Sequence, residues 1–324
     1  MKAQICRELS DPPVLHFEEI DDLRPGAREV LIQSHAAGVN FPDGLVLAGT
    51  YQTKPALPFI PGSEVAGVVE AVGDGVSNVA PGDRVAAFST LGGYATHAVV
   101  AANMVFPIAA SMPFSDAAGF VVTYGTSCHA LVDRAQLANG ETLLVLGASG
   151  GVGLAAVEIG AALGANVIAA ASTPEKRELC LAHGASLAID YSQGDLRDTL
   201  KRVAPGGIDV VYDPVGGAAA LTAARSLAWG GRYLSVGYAS GDIPEVGMNR
   251  FLIVSATLHG VLWGAWARKN PAANARNFAR LFEWYEQGAL RPHTSATFPL
   301  EDAVAALEVV MGRLALGKVV LDVR

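Results

Sequence analysis

The sequence predicts an α/β chain in two parts, a β-rich module followed by a doubly wound parallel sheet. Three observations predict it. Residues 1 to about 110 carry short strand-like runs, among them EVLIQSHAAGV, SEVAGVVEAVG, DRVAAF and YATHAVV, punctuated by PGAR and APGD. From about residue 140, the runs TLLVLG, ANVIAAAS, LAID, IDVVYD, RYLSVG and ATLHGV alternate with segments long enough for crossover helices. Such alternation implies a parallel sheet covered on both faces. The length, 324 residues, is about twice that of one ordinary domain.

The start, MKAQICRELS, lacks the pattern of a signal peptide and reads as a first strand, which predicts a cytoplasmic protein. Residues 143 to 171 are hydrophobic enough to suggest a membrane span. Six glycines from Gly147 to Gly164 and the charge of Glu158 interrupt it, so strand, turn, helix and strand is the better reading. Beyond about 265, NARNFARLFEWYEQG and LEDAVAALEVVMGRL have the pattern of amphipathic helices and GKVVLDV that of a closing strand. A net charge of -8 without a basic run argues against a nucleic-acid partner. Cys6, Cys128 and Cys180, odd in number and far apart, read as buried free thiols.

Gly147, Gly150, Gly151 and Gly153 follow a strand and open a helix, the setting that a dinucleotide-binding turn requires. A pyrophosphate must meet the backbone amides with no Cβ in the way, and the helix start then attracts its charge. Ala148 replaces the first glycine of G-x-G-x-x-G. A glycine-rich turn that merely packs tightly is the competing explanation. At the end of the second strand, where an NAD enzyme places an acid for the ribose hydroxyls, stand Ala171 and Ser172. Lys176 and Arg177 follow in the first turn of a helix that a Ser172–Glu175 capping box could start. Two cations there oppose the helix dipole. A 2′-phosphate reverses that cost, which points to NADPH; a solvated pair balanced by Glu175 and Glu178 is the alternative. Tyr191 could add a phenolic donor.

The stretches AAGVNFPDGLVLAGTY, LPFIPGSEVAGVVEAVGDGV, PGDRVAAF, GGYATHAVV, VTYGTSCHAL, LGASGGVGLAAVEIGAALGA, VVYDPVGG and LALGKVVL, in this order, resemble the medium-chain dehydrogenase/reductase superfamily. Within it the zeta-crystallin-like, zinc-independent quinone oxidoreductases are most similar. The resemblance implies a GroES-like catalytic domain (residues 1 to 122, returning at 265 to 324) split around a Rossmann domain (123 to 264), with the active site in the cleft. It also implies a homodimer, or a tetramer built of dimers.

Position by position, the resemblance puts Asn40 at the nicotinamide end, Thr126 near the carboxamide, and Gly150, Gly151 and Val152 beneath the pyrophosphate. Ser172, Lys176 and Tyr191 match the 2′-phosphate site. Gly237 and Tyr238, and Leu262 with Trp263, match loops lining the adenine and nicotinamide sides. Lys318 matches a position near the nicotinamide; a strand-edge surface lysine is equally compatible with its sequence setting. Similar alcohol dehydrogenases have cysteine in the place of Asn40 and histidine in the place of Ser63, so no zinc is expected. The activity implied is NADPH-dependent hydride reduction of a quinone or enone, with Tyr51 and Asn40 as candidate catalytic groups. Phe59 stands where the family has a second aromatic, and Trp263, Trp266 and Phe251 are candidates for an apolar acceptor pocket. Reduction of an unsaturated thioester or aldehyde, or a non-catalytic nucleotide-binding role, are the alternatives.

Overall fold

A computed structural model describes residues 1–192 and 195–324. The chain divides into two compact units, Met1–Val122 with Pro292–Arg324, and Thr123–Arg291. The first contains β1 (Lys2–Ile5), β2 (His16–Glu19), β3 (Glu29–Val39), α1 (Phe41–Leu47), β4 (Glu64–Val72), β5 (Arg84–Phe88), β6 (His97–Ala101), β7 (Val105–Pro107) and α2 (Phe114–Ala118). After α3 (Val121–Cys128) come β8 (Thr142–Leu146), α4 (Gly151–Ala162), β9 (Asn166–Ala170), α5 (Pro174–Ala182), β10 (Leu187–Ile189), α6 (Leu196–Val203) and β11 (Ile208–Asp213). The second unit continues with α7 (Gly217–Arg225), β12 (Leu227–Ser235), α8 (Asn249–Ile253), β13 (Thr257–Gly260), α9 (Trp263–Lys269) and α10 (Pro271–Glu286). The first unit then closes with β14 (Thr294–Pro299), α11 (Ala303–Met311) and β15 (Lys318–Asp322).

In the first unit, β14, β15, β3, β4, β5 and β7 lie side by side in that order, and β6 also pairs with β3. Register sets which polar residues meet here. Val39 on β3 faces Val319 on β15, and Gly38 faces both Val320 on β15 and Glu64 on β4. Asn40, Glu64 and Lys318, distant in sequence, are thereby brought together. Gly38 makes this possible: a Cβ there would lie 2.3 Å from Glu64 Oε1 and 2.2 Å from the Ala118 carbonyl oxygen.

In the second unit the strand order is β10-β9-β8-β11-β12-β13, every neighbouring pair parallel. The order runs outward in opposite directions from β8 and β11. In open sheets of this kind, ligands bind at the carboxyl ends of the strands where the order reverses. Apart from Glu158, helix α4 is apolar around its circumference, and it is buried along most of its length, as a helix laid on a sheet interior must be.

Residues 265 to 291, read from sequence as the start of the catalytic domain's return, group with the parallel-sheet unit. The physical reason is packing. Trp263 Nε1 donates to Asn274 Oδ1 at 3.0 Å, Trp263 packs on Phe278, and Asn277 Nδ2 donates to Asp133 at 2.8 Å. No helix among the described residues is long and apolar enough to cross a membrane. The three cysteines are free and buried.

Candidate active site

The glycine turn leaves β8 at Gly147, whose φ of +56° is left-handed backbone. Gly153 is required by packing, because a Cβ there would sit 2.3 Å from the Gly147 carbonyl oxygen. Gly150 is different. It has φ -80° and ψ 170° at the N-cap of α4, and a Cβ there would meet nothing nearer than the Gly147 oxygen at 3.5 Å. Protein packing therefore leaves room above Gly150 that a side chain could fill. No side chain caps α4, so the first-turn amides of Gly151 and Val152 have no side-chain acceptor at the positive end of the helix dipole. Ser127 ties this turn down, donating to the Val152 carbonyl at 2.9 Å and pairing with the Tyr212 hydroxyl at 2.8 Å. Thr126, the residue before, is half-buried on α3.

Ser172 and Tyr191 lie two residues past the ends of β9 and β10, and Lys176 and Arg177 lie in the first turn of α5, with one correction to the sequence reading. The N-cap of α5 is Thr173, which accepts from the Lys176 amide at 3.3 Å, and the Ser172–Glu175 capping box does not form. Pro174 explains the shift: it has no N–H and a helical φ, so it takes the first helical position and makes its predecessor the cap. Arg177 is partly committed. One guanidinium nitrogen donates to the Ala171 carbonyl at 3.2 Å and to Asp190 at 2.9 Å. Hydrogen bonds from Ser192, and Arg177 itself, hold the Asp190 carboxyl below its ordinary range. Tyr191 is half-buried and packs against the apolar cluster under the sheet.

The remaining loops are mixed. Tyr238 is partly exposed and its hydroxyl pairs with Ser235 at 2.9 Å; Gly237 precedes it, and Leu262 is exposed. The aromatic candidates for an acceptor pocket are instead packing residues. Trp263 is 3% exposed with its indole bonded to Asn274, Trp266 stacks on His129 at 4.0 Å, and Phe251 lies in the apolar cluster. Their size made them look like a platform; the elements around them absorb that size. Phe59 is buried in the first unit, its backbone bridged to Cys6.

The first unit holds a buried polar cluster around Asn40, the N-cap of α1. Lys318 Nζ donates to Glu64 Oε1 at 2.6 Å, to Asn40 Oδ1 at 2.7 Å and to the Val39 carbonyl at 3.0 Å. Its three hydrogens are thus all used. Lys318 is 6% exposed and no surface lysine. Asn40 Nδ2 donates to Glu64 Oε1 at 2.9 Å, so both ends of this amide are used within the protein. Glu64 Oε2 accepts from the Val122 amide at 2.8 Å. Beside them, Asp43 Oδ2 accepts from the Asn40 backbone N–H and the Tyr94 hydroxyl, both at 2.9 Å, and Oδ1 accepts from Ser63 Oγ at 3.1 Å. Burial raises the Asp43 carboxyl to about 6, against the hydrogen bonds from Asn40 and Tyr94 and the charge of Lys318. Tyr51 follows α1 at its other end, its amide donating to the Leu45 carbonyl at 3.1 Å.

Asp43, Glu64 and Tyr94 went unremarked in the sequence. The N-x-x-D spacing of Asn40 and Asp43 is the one local signal, that of a capping box. A similar case is Asp213 in VVYDPVGG. Its Oδ1 accepts from the Val215 and Gly216 amides at 2.8 Å, and its Oδ2 from the Tyr233 hydroxyl at 2.5 Å. This fixes the turn in which Gly216 and Gly217 take positive φ.

Two family models match the chain, one described as the alcohol dehydrogenase GroES-like domain over residues 26–110 and one as zinc-binding dehydrogenase over 151–280. The chain is 38% identical to quinone oxidoreductase-like protein 2 of Rattus norvegicus, over all of this chain and 92% of that one. It is 35% identical to the quinone oxidoreductase of Homo sapiens, over 99% and 97% of the two chains. The chain belongs to the medium-chain dehydrogenase/reductase superfamily. Among solved structures, Escherichia coli quinone oxidoreductase complexed with NADPH superposes with a TM-score of 0.92 at 28% identity, covering 100% of both chains. That of Thermus thermophilus, also solved with NADPH, gives 0.87 at 32%, again over 100% of both. The chain is thus an oxidoreductase of this superfamily.

The zinc in the family description does not fit these residues. Asn40 and Ser63 are poor zinc donors, Glu64 is paired with an ammonium, and Asp43 is surrounded by three donors. Among the described residues no group of three or more His, Cys, Asp or Glu is placed to hold a metal ion.

Proposed function

We propose that this chain uses NADPH to reduce a quinone or a related conjugated carbonyl compound, without zinc. The observation that carries the reading is the room above Gly150, next to uncapped helix amides, together with a strand end that offers Lys176 and Arg177 and no ribose-binding acid. The fit to a nucleotide with a 2′-phosphate is chemical. Gly150, Gly151 and Val152 would hold the pyrophosphate, and Lys176, Ser172 and Tyr191 the 2′-phosphate, with the second nitrogen of Arg177 still able to donate. Thr126, Gly237, Tyr238, Leu262 and the backbone of Trp263 would line the rest. When bound, NADPH supplies a hydride from its dihydronicotinamide.

The chain's own groups on the acceptor side come from the first unit. Lys318 is a positioning residue: saturated by three acceptors, it fixes the Asn40 amide and balances Glu64 rather than touching the acceptor. Tyr51 is the remaining phenol candidate for the acceptor oxygen. A conjugated acceptor suits this set, because it is already an electrophile and needs orientation and a proton more than a Lewis acid. The reading includes a homodimer, for which the exposed Leu258 on edge strand β13 and the exposed Trp229 on β12 are the supporting surface.

The test is loss of NADPH and NADH absorbance across quinones, enals and enoyl thioesters, with metal analysis of the same sample. Quinone-dependent oxidation of NADPH in preference to NADH, with no stoichiometric zinc, is expected. Turnover of enoyl thioesters alone, or one zinc per chain, contradicts it.

A further inference from the structure

We propose that Ser63 and Asp43 form the proton supply of this reduction, Ser63 Oγ protonating the acceptor oxygen and Asp43 Oδ1 refilling Ser63. The inference rests on the reductase reading above and goes on to name the proton path. The geometry is asymmetric at one carboxyl. Asp43 Oδ2 already accepts two hydrogen bonds, from the Asn40 backbone N–H and the Tyr94 hydroxyl, which occupy its lone pairs. A proton taken up by Asp43 therefore sits on Oδ1, which faces Ser63 Oγ at 3.1 Å.

That proton reverses the serine. With Asp43 ionised, the single hydroxyl hydrogen of Ser63 points inward to Oδ1. With Asp43 protonated, Oδ1 donates to Ser63 Oγ and the serine's own hydrogen is released to point outward. Asp43 is 5% exposed, whereas Ser63 is only half-buried, so the hydroxyl is the group through which the carboxyl can exchange. Asn40 Nδ2 donates one hydrogen to Glu64 at 2.9 Å and the other to Ser63 Oγ at 3.4 Å; the serine oxygen can accept that bond and one from Asp43 together, with its own hydrogen pointing outward.

The charged and titratable groups facing Asp43 are Tyr94 from the segment before β6, Glu64 on β4 and Lys318 on β15. Helix α11 presents Met311, an uncharged side chain, against Gly44. Within this set, burial places the Asp43 carboxyl at about 6, where it exchanges protons near neutrality.

Hydride addition brings two electrons and one hydrogen to the acceptor and leaves one anionic oxygen. The Ser63 O–H bond breaks as an O–H bond forms on that oxygen, and the Asp43 Oδ1–H bond breaks as the serine hydroxyl is restored. Asp43 ends ionised and regains a proton from water through Ser63 after the product leaves.

The test begins without nucleotide. Carbon-13 NMR of aspartate-labelled protein follows the Asp43 carboxyl across pH in the wild type, Asp43→Asn and Ser63→Ala. A carboxyl titrating near pH 6 is expected, absent in Asp43→Asn and shifted up by about one unit in Ser63→Ala, which lacks the hydroxyl that stabilises the ionised form. In turnover with NADPH and a conjugated acceptor, wild-type kcat should fall as pH rises above about 6. Ser63→Ala should lose on the order of a hundredfold in kcat and flatten the profile, with KM for NADPH unchanged. An Asp43 titration that ignores Ser63→Ala, or a Ser63→Ala enzyme that keeps the wild-type profile, overturns the proposal alone. A chain that turns over no acceptor overturns the reductase reading with it.

Discussion

Two buried carboxylates, one in each unit, are used in opposite ways. Glu158, in the middle of α4, accepts from the Tyr124 hydroxyl at 2.6 Å, from His183 Nδ1 at 2.5 Å and from the Arg291 amide at 3.1 Å. Both oxygens are engaged by donors from three different parts of the chain, the Arg291 amide reaching both, and the group serves architecture. Asp43 has one oxygen saturated and the other left against a half-exposed hydroxyl. The difference teaches that burial alone does not mark a functional acid. What marks it is an incomplete shell of donors on one side.

The comparison can be broken most severely at Lys318. Replacing it with Met leaves Glu64 as an unpaired buried carboxylate, and about 3–5 kcal/mol of stability should be lost in urea unfolding. A loss below about 1 kcal/mol would mean that the cluster is not the pinned arrangement described here.

A smaller effect concerns Asp43 and pH. Its folded value of about 6 lies above the ordinary 3.8, so its contribution to stability is fully present below the unfolded value and is lost as pH rises through about 6. The loss should approach about 3 kcal/mol, read as wild type minus Asp43→Asn in unfolding at a series of pH values. No difference in pH dependence between the two proteins would contradict it.

At the nucleotide end, Lys176→Ala should weaken NADPH binding about tenfold to a hundredfold and leave NADH unchanged, as loss of one charge-assisted hydrogen bond requires. Arg177→Ala should cost less, since Asp190 already holds part of that guanidinium. The smallest stability effect belongs to Gly150→Ala, within about 0.5 kcal/mol because its Cβ has room, while NADPH affinity falls about tenfold or more. Gly153→Ala, whose Cβ would sit 2.3 Å from a carbonyl oxygen, should destabilise the fold outright.

The parts legible in sequence were those written locally. Six strand runs, the glycine turn and the cations after β9 each occupy a few consecutive residues, and period and turn chemistry identify them. The illegible parts depend on distant partners. Lys318 meets Glu64 across 254 positions and Asp43 meets Tyr94 across 51, so neither the buried ion pair nor the saturated carboxyl oxygen could be read from spacing. Trp263 and Trp266 misled for the same reason, their packing partners being set by how α9 folds back on α10, which carries Asn274, and on the segment after α3, which carries His129. The cap at Thr173 was readable in principle, since Pro174 announces the first turn.

Calorimetric titration of the nucleotide-free protein with NADPH and with NADH tests the account most directly. The 2′-phosphate should tighten binding about tenfold to a hundredfold. Equal dissociation constants for the two nucleotides, insensitive to Lys176→Ala, would contradict it.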